Sequence, residues 1–344
     1  MKNTKKISIL VLVFSLCVFL GMPAFAAKKE VIVYTSLETE ETVEYLKLAK
    51  KELPDLDIKC IRLSTGELGA RMLAERYNPQ ADVVWGWAVT NMADFADRGM
   101  LEKYKPKGWG KIPAKFKDPN GYWVAIDLYL AAFILNTRVM AKENLPKPKG
   151  WNDLLNPVYK DMVVMPNPAS SGTGFLQVAS LLEMLDPDYA KKPVKKNKAW
   201  EFLEKLDKNM AQYIKSGSKP AKLTAAGEFA IGCSFAFVYS SLKKKGFPIE
   251  MVLPEEGAGY ELESNALLKG AKHVSAGKKF LDWAIGESAM REYAKFKLGV
   301  TLPGIPGAPD MPQLENIKLA PMDFPWQATN RGEILITWQD KFLR

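Results

Sequence analysis

The chain has 344 residues, of which 47% are hydrophobic and 25% charged. This composition can bury a large core, leaves room for two domains, and excludes a disordered chain or a peptide-sized module. The net charge of +9 falls to +6 without the lysines at positions 2, 5 and 6. So mild a charge, with no aromatic stacking residues beside the lysine-rich segments, argues against a nucleic-acid partner.

The N-terminal segment has the pattern of an export signal. The apolar residues 7–20 follow the three lysines, and Ala24-Phe25-Ala26 has the small-x-small pattern of a cleavage site. This apolar run is shorter than the roughly 20 residues that a membrane-spanning helix needs. We therefore expect a signal peptide at residues 1–26 and a mature protein in the periplasm. A lipid anchor on Cys17 is the alternative, although Leu16 before it fits lipidation poorly.

The first part of the mature chain alternates strands and helices. Short β-branched runs are each followed by apolar residues at helical spacing. These patterns predict strands at residues 31–35, 57–63 and 82–86 and helices at residues 40–53, 64–77 and 91–97. Strands that alternate with helices indicate a parallel sheet covered on both faces.

A second unit of the same kind comes after two strand-like runs, residues 122–126 and 129–135, which Asp127 separates. Its predicted elements are strands at residues 162–165, 229–237 and 249–253 and helices at residues 172–185, 199–209 and 221–226. Beyond a turn-rich segment, the apolar residues 266–268 and two helices at residues 276–285 and 288–296 indicate a return to the first unit.

This order of elements predicts an α/β protein with two lobes joined by two extended crossovers, near residues 128–135 and 258–266. We expect lobe 1 to hold residues 27–130 together with 262–344, and lobe 2 to hold residues 131–261. In open α/β sheets a ligand lies beyond the carboxyl ends of the strands. With two such lobes, the ligand is expected in the cleft between them.

Hydroxyl and glycine residues stand at three predicted strand ends, where a helix is about to begin. The first amides of a helix have no partner within the helix and attract anions, so hydroxyls beside them make a site for a phosphate-like oxyanion. Ordinary helix capping is the alternative, because serine and threonine are preferred caps. The residues concerned are Thr35, Ser36, Ser64, Thr65, Ser170, Ser171, Gly172 and Thr173.

An acidic and aromatic set lies beside these hydroxyls. A tryptophan face and a carboxylate together can hold an ammonium group, which suggests a cationic end of the ligand near Trp85, Asp127 and Glu38. The alternatives are that Trp85 is a core residue and that Asp127 caps a turn. An acid between two apolar runs nevertheless needs a partner.

The residue counts argue against an enzyme. His273 is the only histidine and follows Lys272 in a turn, and no Gly-x-Ser-x-Gly motif accompanies it. The sequence has neither a His-x3-His nor a Cys-x-x-Cys pair. The glycines near Ser171 lack the lysine of a phosphate-binding loop. We expect no catalytic residue, no cofactor and no resident metal, and we expect Cys60 and Cys233 to be buried free thiols.

Four segments make the chain resemble the periplasmic solute-binding proteins of ABC importers, in the ferric-ion-type type II group. They are residues 33–38, residues 78–86, residues 216–220, and residues 164–175, where the run Pro-Asn-Pro-Ala-Ser-Ser-Gly-Thr-Gly-Phe is the most specific. Within that group the chain is similar to 2-aminoethylphosphonate-binding proteins. The resemblance implies a monomeric two-lobed receptor that closes on a small phosphonate and presents it to a permease in the inner membrane.

A ferric-iron or iron-chelate receptor is the alternative that the same resemblance leaves open. Ferric members of the group hold iron through adjacent tyrosines in the second lobe. Here the corresponding residues 234–239 read Ser-Phe-Ala-Phe-Val-Tyr, so only Tyr239 matches. A ferric ion needs several anionic oxygen ligands, which phenylalanine does not supply. An extracytoplasmic enzyme and an adhesion protein without a working cleft are two further alternatives.

Overall fold

The computed structural model describes residues 28–309, 311–312 and 316–343. Its strands are β1 Lys29–Thr35, β2 Leu56–Arg62, β3 Val83–Ala88, β4 Leu101–Glu102, β5 Val124–Asn136, β6 Val163–Pro166, β7 Met210–Ile214, β8 Ile231–Phe235, β9 Ile249–Val252, β10 Tyr260–Leu268 and β11 Gly299–Val300. Its α-helices are α1 Thr39–Glu52, α2 Thr65–Ala74, α3 Val89–Asp97, α4 Thr137–Lys142, α5 Gly172–Leu185, α6 Ala199–Asp207, α7 Lys219–Ala226, α8 Ala236–Lys244, α9 Val274–Ala284, α10 Glu287–Tyr293 and α11 Phe324–Phe342.

The strands form one mixed sheet in the order β2-β1-β3-β10-β5-β8-β6-β7. β1 runs parallel to β2 and β3, and β6 runs parallel to β7 and β8. β10 and β5 are antiparallel to each other at the centre. We call the strands from β2 to β10 in this order the first half of the sheet, and those from β8 to β7 the second half.

β5 joins the two halves. Its residues up to Leu130 pair with β10, and its residues from Ala131 pair with β8 and β9. The sequence predicts two runs broken at Asp127, whereas the strand continues through this residue. A buried carboxyl is tolerated inside a strand when a partner compensates it, and here Glu263 and Lys297 lie beside it.

Separate hydrophobic clusters cover the two halves. Tyr45, Trp85 and Phe280 belong to a cluster on the first half, and Phe133 and Phe175 belong to one on the second half. Helices on both faces supply the apolar side chains that a parallel sheet needs on each side. The predicted alternation of strands and helices thus agrees with the observed order of elements.

The C-terminal helix α11 differs from the expected division of the chain. The sequence groups residues 262–344 with lobe 1, but the buried side chains of Ile334, Trp338 and Phe342 belong to the cluster of the second half. Because buried apolar area decides where a helix docks, we propose that α11 is part of lobe 2, while it also packs against α3 of the first half. The rest of the expected division, residues 27–130 with 262–323 in lobe 1 and residues 131–261 in lobe 2, stays a proposal.

Two remaining expectations concern export and the cysteines. The expected signal peptide, residues 1–26, and Cys17 lie outside the described residues. Across the residues that are described, no helix is both long and apolar enough to cross a membrane. Cys60 and Cys233 are free thiols, the first partly buried and the second fully buried.

Candidate functional site

The first half of the sheet contributes residues from the ends of β1 and β2. The hydroxyl of Ser36 donates to the Gly86 carbonyl at 2.8 Å. Glu38 caps the N-terminus of α1, and its main-chain amide donates to the Glu41 carboxylate at 2.8 Å. These contacts are local consequences of a strand end followed by a capped helix. They hold Ser36 and Glu38 at the carboxyl edge of the sheet.

The end of β2 leads into α2 in the same way. Ser64 and Glu67 form a reciprocal capping box, and Thr65 is the first residue of the helix. The amide of Gly66 does not turn back into its own helix but donates to the Ser170 carbonyl at 3.0 Å. Since Ser170 belongs to the second half, this hydrogen bond links the two halves.

The second half contributes the N-terminus of α5. The Ser171 hydroxyl accepts a hydrogen bond from the Gly174 amide at 3.3 Å and caps this helix. A Cβ atom on Gly172 would lie 2.8 Å from the Thr65 hydroxyl oxygen, and one on Gly66 would lie 2.2 Å from the Ala169 carbonyl oxygen. Both glycines therefore permit a close approach of the two halves that other residues would prevent.

A cavity of ≈ 40 Å³ lies between these two helix ends. The first half lines it with Ser36, Glu38, Arg62, Ser64 and Thr65. The second half and the adjoining strands line it with Tyr129, Ser171, Gly172, Thr173, Gly217 and Phe235. One water molecule occupies roughly 10–15 Å³ of cavity volume. The cavity therefore has room for about three waters, which suits one small oxyanion group.

Charged residues close the bottom of this cavity. Lys297 is 2% exposed, and its ammonium lies 2.7 Å from Glu41, 2.5 Å from Glu263 and 3.9 Å from Asp127. We call these four residues the floor cluster. Glu41, Glu263 and Lys297 line the cavity, whereas Asp127 does not. On the wall, Arg62 pairs with Glu38 at 3.1 Å.

The pKa values of the groups in the floor cluster are shifted to different extents. Burial, and next the charge of Glu263, raises the pKa of Asp127 well above its usual value. Burial also raises the pKa of Glu263, but the charge of Lys297 opposes that shift. Although burial works against the charge of Lys297, the surrounding carboxyl groups hold its pKa well above the usual range. Burial thus favours the protonated form most clearly at Asp127, whereas Glu263 has the ammonium of Lys297 in direct contact.

Seven of the residues predicted from sequence line the cavity together. They are Ser36, Glu38, Ser64, Thr65, Ser171, Gly172 and Thr173. Thr35 lies just below it, fully buried, with its hydroxyl oxygen accepting from the Leu37 amide. Ser170 lies beside it and donates its hydroxyl to the Lys215 carbonyl at 2.8 Å.

The other three predicted residues do not face the cavity. Trp85 is fully buried in the core of the first half, where its indole N–H donates to the Tyr293 hydroxyl at 3.2 Å. Asp127 lies behind Glu263 in the floor cluster. Tyr239 packs against the apolar cluster around Phe235 and Phe237. Trp85 is thus a core residue, the alternative that its apolar strand already indicated.

Several residues that line the cavity were not predicted as site residues from the sequence. Arg62 is the last residue of β2, and Tyr129 lies in the middle of a strand. Glu41 has the place of an ordinary capping residue, and Glu263 and Lys297 come from a distant part of the chain. Only the position of Arg62, two residues before the predicted Ser64, carried a local signal that could have found it.

Polar contacts hold the two halves together around the cavity. The Ser218 hydroxyl donates to Glu38 at 3.1 Å, and Lys222 pairs with Glu40 at 3.2 Å. Lys215 forms an ion pair with Glu67. These contacts, with the Gly66 to Ser170 hydrogen bond, enclose the cavity between the halves.

A closed cleft between two sheet halves, with helix N-termini aimed at one cavity, is the architecture of a solute receptor. The chain belongs to the family of bacterial extracellular solute-binding proteins, whose pattern it matches over residues 78–327. A Haemophilus influenzae protein of uncharacterized function is 35% identical over 76% of this chain and 74% of its own length. A probable ABC transporter periplasmic-binding protein, y4fP of Sinorhizobium fredii, is 26% identical over 69% of this chain and 65% of its own length.

Solved structures with the same architecture agree with this membership. AfuA of Actinobacillus pleuropneumoniae, a periplasmic binding protein with fructose-6-phosphate bound, has a TM-score of 0.85 and 30% identity, covering 92% of this chain and 99% of its own. The periplasmic binding protein P5PA has a TM-score of 0.80 and 26% identity over 92% and 100%. Iron-bound HitA of Pseudomonas aeruginosa shares the fold, with a TM-score of 0.76. It is 17% identical, over 91% of this chain and 99% of its own.

These likenesses confirm the predicted type II periplasmic-binding-protein fold. The family consists of solute-binding proteins of ABC transporters rather than enzymes. Membership therefore implies a small-molecule ligand, a permease as partner and a place outside the cytoplasmic membrane. Which solute the cavity takes is a separate question.

Proposed function

We propose that this protein captures a small phosphonate, such as 2-aminoethylphosphonate, in the periplasm and delivers it to the permease of an ABC importer. The mature protein begins near Ala27 in this proposal and acts as a monomer. Its two lobes close on the solute, which undergoes no covalent change.

One observation carries the proposal: hydroxyl groups at two helix N-termini from opposite halves, α2 and α5, line one cavity. Thr65 and Thr173 stand on either side of it. Four charge-assisted hydrogen bonds of about 1.5–3 kcal/mol each give a gross gain of about 6–12 kcal/mol. Closure and lost ligand freedom offset several of these, so micromolar binding, about −8 kcal/mol, needs a contribution from the rest of the solute.

The size of the cavity supports a short solute. Room for about three waters accommodates a phosphonate head but leaves little space for a long chain or a ring. The aminoethyl group of 2-aminoethylphosphonate adds three heavy atoms to the four of its head group, which is far less than a sugar adds. A larger solute would require the halves to separate and to give up the contacts between Lys215 and Glu67 and between Lys222 and Glu40.

A sugar phosphate is the second candidate. AfuA, at 30% identity, has fructose-6-phosphate bound, and its phosphoryl group has the same recognition chemistry as a phosphonate. The carboxylate of Glu263 is also a suitable acceptor for a sugar hydroxyl. The small cavity volume weighs against a hexose in this closed arrangement.

An iron receptor has less support. Throughout the described residues, no group of three or more histidine, cysteine, aspartate or glutamate side chains is arranged to hold a metal ion. Tyr239, the one tyrosine matching the ferric pattern, packs against an apolar cluster and does not line the cavity. HitA binds iron but shares only the fold with this chain at 17% identity.

Calorimetry on ligand-free protein tests the proposal with 2-aminoethylphosphonate, inorganic phosphate, fructose 6-phosphate and ferric citrate. We expect micromolar binding of the aminophosphonate, weakened about tenfold by Thr65→Val or Thr173→Val because each loses one charge-assisted hydrogen bond. Thr329→Val, on the exposed face of α11, is the matched control. Binding of ferric citrate alone, of fructose 6-phosphate alone, or of none of these would contradict the proposal.

A further inference from the structure

The floor cluster carries an excess of acids, and three of its members line the cavity. Three carboxyl groups, those of Glu41, Asp127 and Glu263, surround the one ammonium of Lys297. We infer that Glu263, supported by Glu41 and Lys297, binds a cationic group of the solute, so that the solute is a zwitterion with an amine close to its phosphonate. This inference deepens the proposed function and rests on it.

Topology brings the cluster together from four elements. Glu263 on β10 lies directly opposite Asp127 on β5, the two strands that cross between the halves. Glu41 comes from the first turn of α1, and Lys297 follows α10. The strand register and the docking of α1 fix these side chains, so the cavity floor is a built part of the fold.

The lining residues include more acids than bases, namely Glu38, Glu41 and Glu263 against Arg62 and Lys297. Arg62 pairs with Glu38 on the wall. Asp127 does not line the cavity. Glu41 and Glu263 then share the single positive charge of Lys297. A phosphonate dianion alone would add to this excess, whereas an ammonium beside the phosphonate would offset it.

Lys297 is not available as an anion ligand. Its side chain is only 2% exposed and pairs with both Glu41 and Glu263. Drawing it toward a phosphonate would break two buried ion pairs, which is costly. The ammonium of Lys297 therefore serves the carboxylates, and we assign anion binding to the hydroxyls of Thr65, Ser171 and Thr173.

Glu263 is the acid that can reach the solute. Its side chain is 11% exposed against 1% for Glu41. The oxygens of Glu41 already accept from the Glu38 amide, from the Tyr45 hydroxyl at 3.0 Å and from Lys297. In Glu263 one oxygen accepts from Lys297, and a carboxylate has further lone pairs for a second ammonium.

Titration calorimetry with a matched pair of ligands tests this inference. The probes are 2-aminoethylphosphonate and ethylphosphonate, which lacks the amine, and the proteins are wild type, Glu263→Gln and the control Glu228→Gln, an exposed glutamate in the turn after α7. Wild type should bind the amine-bearing ligand at least about tenfold more tightly, the scale of one charged hydrogen bond. Glu263→Gln should remove that preference and leave ethylphosphonate binding unchanged or tighter.

Each other result has a distinct meaning. Equal affinity of wild type for the two phosphonates overturns the inference and leaves the proposed function standing, and this comparison does not depend on whether the variant folds. Equal weakening of both phosphonates by Glu263→Gln, with an unchanged melting temperature, also overturns it. Preferential binding of fructose 6-phosphate that Glu263→Gln weakens assigns the floor to hydroxyls instead. Binding of neither phosphonate contradicts the proposed function, and the inference falls with it.

Discussion

Two buried glutamates outside the cavity, Glu183 and Glu261, make the stability of the protein depend on pH. Glu261 accepts from the Thr90 hydroxyl at 3.0 Å, and Glu183 accepts from Gln327 at 2.7 Å. Burial nevertheless raises the pKa of each from 4.5 to about 7. The hydrogen bonds therefore do not fully offset the cost of removing the charged carboxylate from water.

The free energy of unfolding should fall as the pH rises from about 5 to about 8. In this range the folded protein binds more protons than the unfolded chain, because the pKa of each glutamate is higher in the folded state. The loss is of the order of 3 kcal/mol for each group if its whole shift is expressed. Urea unfolding at both pH values should show a smaller loss for Glu261→Gln than for wild type. An equal loss in the two proteins would contradict this assignment.

At the same scale, local chemistry decides which site residues can be found from sequence. Ser64 and Ser171 were predicted because a serine between a strand and a helix has a capping role that depends only on its neighbours. Glu263 and Lys297 were not, since their function depends on partners more than thirty residues apart in the chain. Asp127 was expected to touch the ligand, but it does not line the cavity; it lies opposite Glu263 on the neighbouring strand, 3.9 Å from the ammonium of Lys297.

Among the helices and strands, α11 was the hardest to predict from the sequence. Its polar residues and a preceding segment rich in proline obscure the apolar stripe. The stripe becomes clear only once Ile334 and Trp338 are seen in the core of the second half. The elements of the βα units were predicted to within a few residues, because their strands and helices alternate with short connections and strong periodicity.

Truncation of Trp338 should show how much α11 contributes to stability. Trp338 is 1% exposed and packs edge-on against Tyr213 at a centroid distance of 5.1 Å. Trp338→Ala should lower the free energy of unfolding by about 3–5 kcal/mol, the cost of a large buried aromatic. On the same helix Ile336 is 60% exposed, so Ile336→Ala should change it by less than about 0.5 kcal/mol. Similar denaturation midpoints for both variants would show that α11 is not a part of the core.

At the scale of the whole molecule, we expect closure of the two halves to depend on the close backbone contact at Gly66. A Cβ atom here would lie 2.2 Å from the Ala169 carbonyl oxygen, a backbone atom that cannot move aside on its own. Gly66→Ala should therefore keep the two halves apart and weaken binding of the preferred solute by at least tenfold, with little change in melting temperature. Small-angle scattering should show that this variant stays extended when the solute is added.

The matched control for that experiment is Gly332→Ala in α11, where an added Cβ meets no atom within 4 Å. This variant should close normally and be more stable by roughly 0.5–1 kcal/mol, since alanine favours a helix over glycine. Compaction of Gly66→Ala to the same size as this control would show that the contact does not govern closure.

The pairing of Lys215 with Glu67 and of Lys222 with Glu40 also bears on how cargo leaves the protein. None of these four side chains belongs to the cavity wall, so their attraction persists whatever the cargo is. Opening of the cleft therefore has to separate these two exposed ion pairs, each worth no more than about 1 kcal/mol, whichever solute is released. The free energy of opening should thus depend partly on these surface residues, whereas selectivity should depend on the residues that line the cavity.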